Sequence, residues 1–142
     1  MATYDDDLMT RVIGLAAAAR ANGDHPFGAL LAVDGAVVAE AVNRVNSAHD
    51  LTAHAETELV RLLEREDRLD ELGRGVVYAS CEPCPLCVGS MFWAGARHIV
   101  FGLAASTLGR ISTAPGGTAY GFTITAAELA AATTSPMLVD GP

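Results

Sequence analysis

Two short segments constrain this chain more than anything else in it: Thr52-Ala53-His54-Ala55-Glu56, and Cys81-Glu82-Pro83-Cys84-Pro85-Leu86-Cys87. Together they read His-x-Glu followed, 30 positions after the histidine, by the first cysteine of a Pro-Cys-x-x-Cys. One imidazole and two thiolates, from His54, Cys84 and Cys87, make a three-ligand set for Zn2+ that leaves the fourth tetrahedral position open. A structural site would normally be closed by four protein ligands. An open position holds water, and the metal brings the pKa of that water toward neutrality. Glu56 is then a spare carboxylate beside the site, available to move protons.

Local chemistry also fixes where the donors sit. Residues two apart on a helix point in different directions, so His54 and Glu56 reach one point only from a first turn that projects into a site. Pro85 suits the first position of a helix, which puts Cys84 just before that helix and Cys87 on the same face. Two helix N-termini then point at the metal, and their positive ends favour thiolate over thiol.

Three other readings use the same residues. Cys84-Pro85-Leu86-Cys87 could serve as a redox C-x-x-C, which leaves His54 and Glu56 idle. Cys81 or His98 could supply a fourth ligand and close a structural zinc site, which leaves Glu56 without a role. A module of this type could also bind without turnover, although Glu56 and the open ligand set argue for catalysis.

The remaining sequence supplies the frame. Leu8, Val12, Leu15 and Ala19 predict an amphipathic helix over residues 5–21, with Asp5, Asp6 and Asp7 favourable at its start and Asn22-Gly23 at its end. Residues 29–33 and 36–42 read as strands joined by the hairpin signal Asp34-Gly35. A second helix begins near Ala53, capped by Thr52 or Asp50. Leu59, Leu62 and Leu63 form its buried stripe, and a solvated charged face includes Glu64 paired with Arg68. Residues 76–79 and 97–103 read as strands around a helix that starts at Pro85. Residues 104–121, small and glycine-rich, read as a surface loop around a short helix. Thr125-Ala126-Ala127-Glu128 is a capping box for a last short helix. Strands alternating with helices give a layered α/β domain. No repeat or second domain is evident, so residues 1–142 are expected to form a single zinc-dependent domain.

Composition narrows the partners. Nine basic residues against 17 acidic ones give a net charge of -8, with no basic cluster to neutralise phosphates, so nucleic acid is not the expected partner. No apolar run approaches the ~20 residues of a membrane span. The acidic N-terminus is unlike a secretory signal, and three cysteines suit a metal site in a reducing compartment. The expected location is the cytoplasm.

The two motifs, with Pro26-Phe27-Gly28-Ala29, Asn43 and Gly89-Ser90-Met91-Phe92-Trp93-Ala94, resemble the cytidine/deoxycytidylate deaminase superfamily. Within it the chain is most similar to the bacterial guanine deaminase and nucleobase deaminase branch, over roughly residues 5 to 103. The resemblance implies a three-layer α/β/α sandwich with a central mixed five-stranded sheet, the two metal-bearing helices on one face. It implies one Zn2+ per chain on His54, Cys84 and Cys87, with Glu56 as the proton carrier. Phe27 would stack on a bound heterocycle, Asn43 would hydrogen-bond its edge, the Ala55 N–H would meet a carbonyl or ring oxygen, and Trp93 would stand at the pocket wall.

The implied activity is hydrolytic deamination of a free nucleobase or related amino-heterocycle (guanine, cytosine or an aminotriazine) by a homodimer. A cytidine-type nucleoside deaminase and a tRNA adenosine deaminase are the alternatives within the superfamily. The chain departs from guanine deaminases at its end. They carry a longer C-terminal segment that closes over the pocket, whereas this sequence stops at Val139-Asp140-Gly141-Pro142, which argues against strict guanine specificity. Leu51 also stands where relatives often have proline.

Overall fold

Residues 4–142 are described by the computed structural model. Asp5 opens helix α1 (Asp6–Ala21) by accepting hydrogen bonds from the backbone N–H groups of Asp7 and Leu8, and Asn22 closes it before Gly23. Strand β1 (Gly28–Val33) and strand β2 (Ala36–Val42) form a hairpin. Asp34 and Gly35 at its tip both have positive φ (51° and 79°), as a two-residue hairpin turn with the strands' own twist requires. Helix α2 (Ala55–Arg65), the short helix α3 (Asp70–Arg74), strand β3 (Val76–Ala79), helix α4 (Pro85–Ala94) and strand β4 (His98–Phe101) follow. Helix α5 (Ala105–Ser112), helix α6 (Ala126–Ala131) and strand β5 (Leu138–Asp140) complete the chain.

The five strands lie in the order β2-β1-β3-β4-β5. β1 is antiparallel to both β2 and β3, whereas β3, β4 and β5 are parallel, so the sheet is mixed as expected. Alternation along the strands assigns each face a layer. Leu30, Ala32, Tyr78 and Val100 pack with Met9 and Val12 of α1 on one side. Ala29, Leu31, Val33, Val77 and Ile99 pack with Leu59 and Leu63 of α2, Val88 and Met91 of α4, and Ala126 and Ala130 of α6 on the other. Every residue of β1 is buried because it is covered twice. The resulting three-layer α/β/α sandwich has α2 and α4 on a common face. Among the described residues no helix is long and apolar enough to cross a membrane.

Strand register fixes where a site can form. Gly28 pairs with Val42, Ala29 with Ala79, and Ala79 with Phe101. The start of β1 and the ends of β2, β3 and β4 therefore share one edge of the sheet. Backbone bonds stitch that edge: Asn43 N to Phe27 O (3.0 Å), Ser80 N to Gly28 O (3.0 Å) and Glu82 N to Leu103 O (2.8 Å).

Several local expectations shift. The buried stripe of α1 is Met9, Val12, Ala16 and Ala19, with Leu8 and Leu15 only at its margin. The helix lies so close to β1 that a Cβ on Gly28 would fall 2.6 Å from Leu15 Cβ and 2.8 Å from Val12 O, so small side chains must face the strand. α2 ends at Arg65, and Asp67 turns with φ 56°. Arg68 is thus outside the helix and pairs with Glu66 and Glu71 in place of Glu64. Gly73 and Arg74, expected in a turn, instead end the short helix α3, with Gly75 as its C-cap.

This packing makes two alanine substitutions diverge. Gly28→Ala should lower stability by about 1–3 kcal/mol, the usual range for overpacking. Gly14→Ala, within α1 and with nothing within 4 Å of the added Cβ, should raise it by about 0.5–1 kcal/mol. Denaturant unfolding of the two variants checks both signs, and a Gly28→Ala protein as stable as the parent would mean that α1 sits farther from β1.

Candidate metal centre and cavity

His54 and Cys84 occupy the N-cap positions of α2 and α4, and neither side chain caps its helix. Both turn toward Cys87 in the first turn of α4. His54 Nδ1 lies 3.6 Å from Cys84 Sγ and 3.4 Å from Cys87 Sγ, and the two sulfurs are 3.7 Å apart. A tetrahedral ion with ordinary Zn–S and Zn–N bonds separates two sulfurs by about 3.8 Å and a sulfur from a nitrogen by about 3.6 Å. The three donors therefore fit zinc, with Nδ1 as the ring nitrogen turned to the sulfurs. Among the described residues the group has no fourth His, Cys, Asp or Glu donor. His98 Nε2 is instead paired with Asp140 at 2.9 Å, and Cys81 lies outside the donor group. The closed structural site therefore has no geometric support.

The turn that presents His54 is braced from several sides. Thr57 Oγ1 lies 2.5 Å from Thr52 O and 3.0 Å from His54 O. Thr52 N and Oγ1 donate to Asp50 Oδ1 at 2.8 and 2.6 Å, so Asp50 and Thr52 shape this turn and do not cap α2 as expected. Arg61 donates to Glu58 (2.6 Å) and to Thr52 Oγ1 (2.8 Å). Part of the charged face of α2 is thus a brace, where the sequence reads as simply solvated.

Glu56 is 7% exposed, with Oε2 3.4 Å from Cys87 Sγ. Burial holds its carboxyl above the usual carboxylate range. The Cys84 thiol is pulled down to about 5, first by its hydrogen bond with Cys87 and also by His54. Cys87 is pushed up by that same hydrogen bond, by burial and by Glu56. Metal ligation needs both sulfurs as thiolates, so a cation that binds there displaces any proton they hold.

The donors form the floor of a cavity of about 160 Å³. Phe27 and Asn43 line it as expected, together with Glu56. Asn43 is 2% exposed, and its Oδ1 accepts the Val45 N–H at 3.0 Å. That bond orients the amide and leaves Nδ2 without a partner among the described residues. Ala55 is the first residue of α2 and fully buried, and its N–H has no acceptor among the described residues.

Trp93 requires correction. It is 85% exposed, packs edge-on against Phe92 and does not line the cavity of its own chain. Met91 takes the inward position of α4, and two residues on is about 200° around the helix.

Four lining residues were not singled out from sequence, His25, Glu82, Ala105 and Leu108, and Cys81 was weighed only as a fourth metal ligand. His25 carried one signal, its place two residues before Phe27. Ala105 and Leu108 carried none.

The mixed sheet and the His/Cys/Cys group define a cytidine-deaminase-like α/β domain. Residues 2–103 match the family model of the cytidine and deoxycytidylate deaminase zinc-binding region, and the chain belongs to that family. It is 40% identical over 76 residues to the guanine deaminase of Bacillus subtilis, spanning 54% of this chain and 49% of that enzyme. The X-ray structure of guanine deaminase from Bacillus subtilis superposes with a TM-score of 0.69 at 31% identity, covering 77% of this chain and 70% of that one. The probable cytosine deaminase of Schizosaccharomyces pombe is 36% identical over 125 residues, 87% of this chain and 75% of the relative. A tRNA-specific adenosine deaminase of Agrobacterium fabrum is 33% identical over 87 residues, 59% of this chain and 57% of the relative.

The donor geometry predicts that chelator-stripped protein takes up one Zn2+ per chain. His54→Ala, Cys84→Ser and Cys87→Ser should each abolish stoichiometric uptake, whereas Cys81→Ser and His98→Ala should retain it. Metal analysis of the five purified variants decides; zinc loss in Cys81→Ser would restore the closed-site reading.

Proposed function

We propose that this deaminase acts on a free nucleobase or a closely related amino-heterocycle, such as guanine, cytosine or an aminotriazine, and that its cofactor is Zn2+ on His54, Cys84 and Cys87. The observation that carries the substrate reading is the cavity. At about 160 Å³ it is below the ~300 Å³ at which drug-sized ligand sites begin, which favours a bare ring over a ring with ribose. No lysine or arginine lines it, and the net charge of -8 offers little to a polynucleotide.

When bound, the metal supplies a nucleophile from water near neutral pH. Phe27 stacks on the ring, Asn43 Nδ2 donates to an acceptor on its edge, and the Ala55 N–H donates to a carbonyl oxygen that the ring carries. Glu56 takes a proton from the water and passes it to the ring nitrogen beside the amino-bearing carbon. It then carries the second proton to the departing amino group. The C–N bond breaks as a C–O bond forms. One proton of the water ends on the ring nitrogen and the other on ammonia, and a keto group replaces the amine. A buried carboxyl with a raised pKa suits both halves of this shuttle.

The same reading takes residues 1–142 as a single catalytic domain, working in the cytoplasm as a homodimer. The three free cysteines support the reducing location. Trp93 and Leu86, exposed on one side of α4, support a partner surface.

Ammonia release from the zinc-loaded protein over guanine, cytosine, adenine, their nucleosides, aminotriazines and tRNA tests the substrate class. At least one free base should be turned over, with nucleosides and tRNA refused. Nucleosides or tRNA accepted with bases refused would overturn the reading. On the active base, Glu56→Gln should keep its zinc and lose about 100- to 10,000-fold in kcat. Asn43→Asp keeps the acceptor for Val45 N–H but lacks the donor, and should raise KM about tenfold with zinc intact. Unchanged kinetics would remove either residue from its role.

A further inference from the structure

Two carboxylates line the cavity, and the chemistry described above uses only Glu56. The second, Glu82, sits within the ligand turn Cys81-Glu82-Pro83-Cys84. Its Oε2 accepts the Ala105 N–H at 2.9 Å, and its Oε1 accepts the Ala126 N–H at 2.8 Å. Those two amides begin α5 and α6, so a single side chain holds both ends of the segment that runs from Ala105 to Ala126. That segment includes Ala105 and Leu108, which form a wall of the cavity.

Little else fixes the wall. Ala104, at the N-cap of α5, has no side-chain oxygen to offer, and α5 buries none of its residues fully. Glu82 takes the place of the missing cap. α6 has its own capping box through Thr125 and Glu128, yet its first N–H still goes to Glu82. With both oxygens engaged by amides, Glu82 is occupied as an acceptor and is not placed to shuttle protons. The family match ends at Leu103, two residues before the wall begins. Glu82 thus joins the part of the chain shared with the family to a part that the match does not reach.

We propose that Glu82 is a positioning residue, which hangs the Ala105–Ala126 wall from the metal-ligand turn and so sets how tightly the substrate ring is held without taking part in the chemistry. The effect on substrate affinity rests on the deaminase reading; the effect on the wall does not.

The test compares zinc-loaded full-length protein with Glu82→Ala and Glu82→Gln, the latter keeping the length and one acceptor. Amide hydrogen exchange should rise across 105–126 and stay unchanged around His54 and Cys84, with zinc content retained. On the active base, KM should rise about tenfold in Glu82→Ala while kcat falls less than about threefold, and Glu82→Gln should lie between it and the parent. Should Glu82→Ala fail to fold, Glu82→Gln carries the same comparison. Unchanged exchange at 105–126, loss of zinc, or a fall in kcat at constant KM would each overturn the proposal. If the parent protein turns over no base at all, the substrate reading fails, while exchange and zinc content still decide the role of Glu82.

Discussion

Two helices meet with their N-termini uncapped, and the rest of the molecule is arranged around that junction. A residue at an N-cap ordinarily gives its side chain to the helix's free N–H groups, a bond worth about 1 kcal/mol. His54 and Cys84 hold those positions in α2 and α4 and give their side chains to each other and to Cys87 instead. Where no chemistry competes, the same chain caps its helices normally, with Asp5 on α1 and the Thr125–Glu128 box on α6. The forfeited caps are offset in part by electrostatics, because thiolate charge near two positive helix ends is stabilised. The Cys84 thiol, pulled down to about 5, is in keeping with a sulfur that meets a cation as thiolate.

A junction of this kind needs a scaffold that brings distant parts of the chain to one point. The sheet does so by register. Because β1 is antiparallel to β2 and β3, and β3 is parallel to β4, the start of one strand and the ends of three others share an edge. Phe27, Asn43 and Glu82 lie on the loops that leave that edge, and Ala105 begins α5 just beyond it. α2 and α4, side by side on one face, carry the donors up to it. The close seat of α1 against Gly28 on the opposite face keeps β1 buried and the edge in place.

What could be read from sequence follows the same division. The donor set, Glu56, the Asp34-Gly35 hairpin and the Thr125–Glu128 box are local patterns whose chemistry is complete within a few residues. Those elements appear in the structure where the patterns placed them. Features that depend on neighbours far along the chain were not legible. The rotation of the α1 stripe toward Met9 and Ala16 comes from its approach to Gly28. The brace of Arg61 on Thr52 needs the fold of the loop before α2. Trp93 fails for a related reason. The resemblance implied a place at the pocket wall, but in this chain α4 turns Met91 inward and leaves Trp93 in solvent. Residues such as Ala105 and Leu108 have no chemistry of their own to announce, and gain a role only by lying over a cavity built by others.

That last point bears on how one catalytic frame serves different substrates. The relatives include proteins named for guanine, cytosine and tRNA adenosine, so membership of the zinc-binding family does not by itself name the substrate. Over the His/Cys/Cys floor stand the loops carrying His25, Phe27 and Asn43 on one side, and α5 on the other. The first set lies inside the family match and the second lies beyond it. A wall over a cavity has to keep its height, and backbone amides anchored at both of its ends serve that. A carboxylate that reads only N–H groups is indifferent to the side chains of the segment it holds.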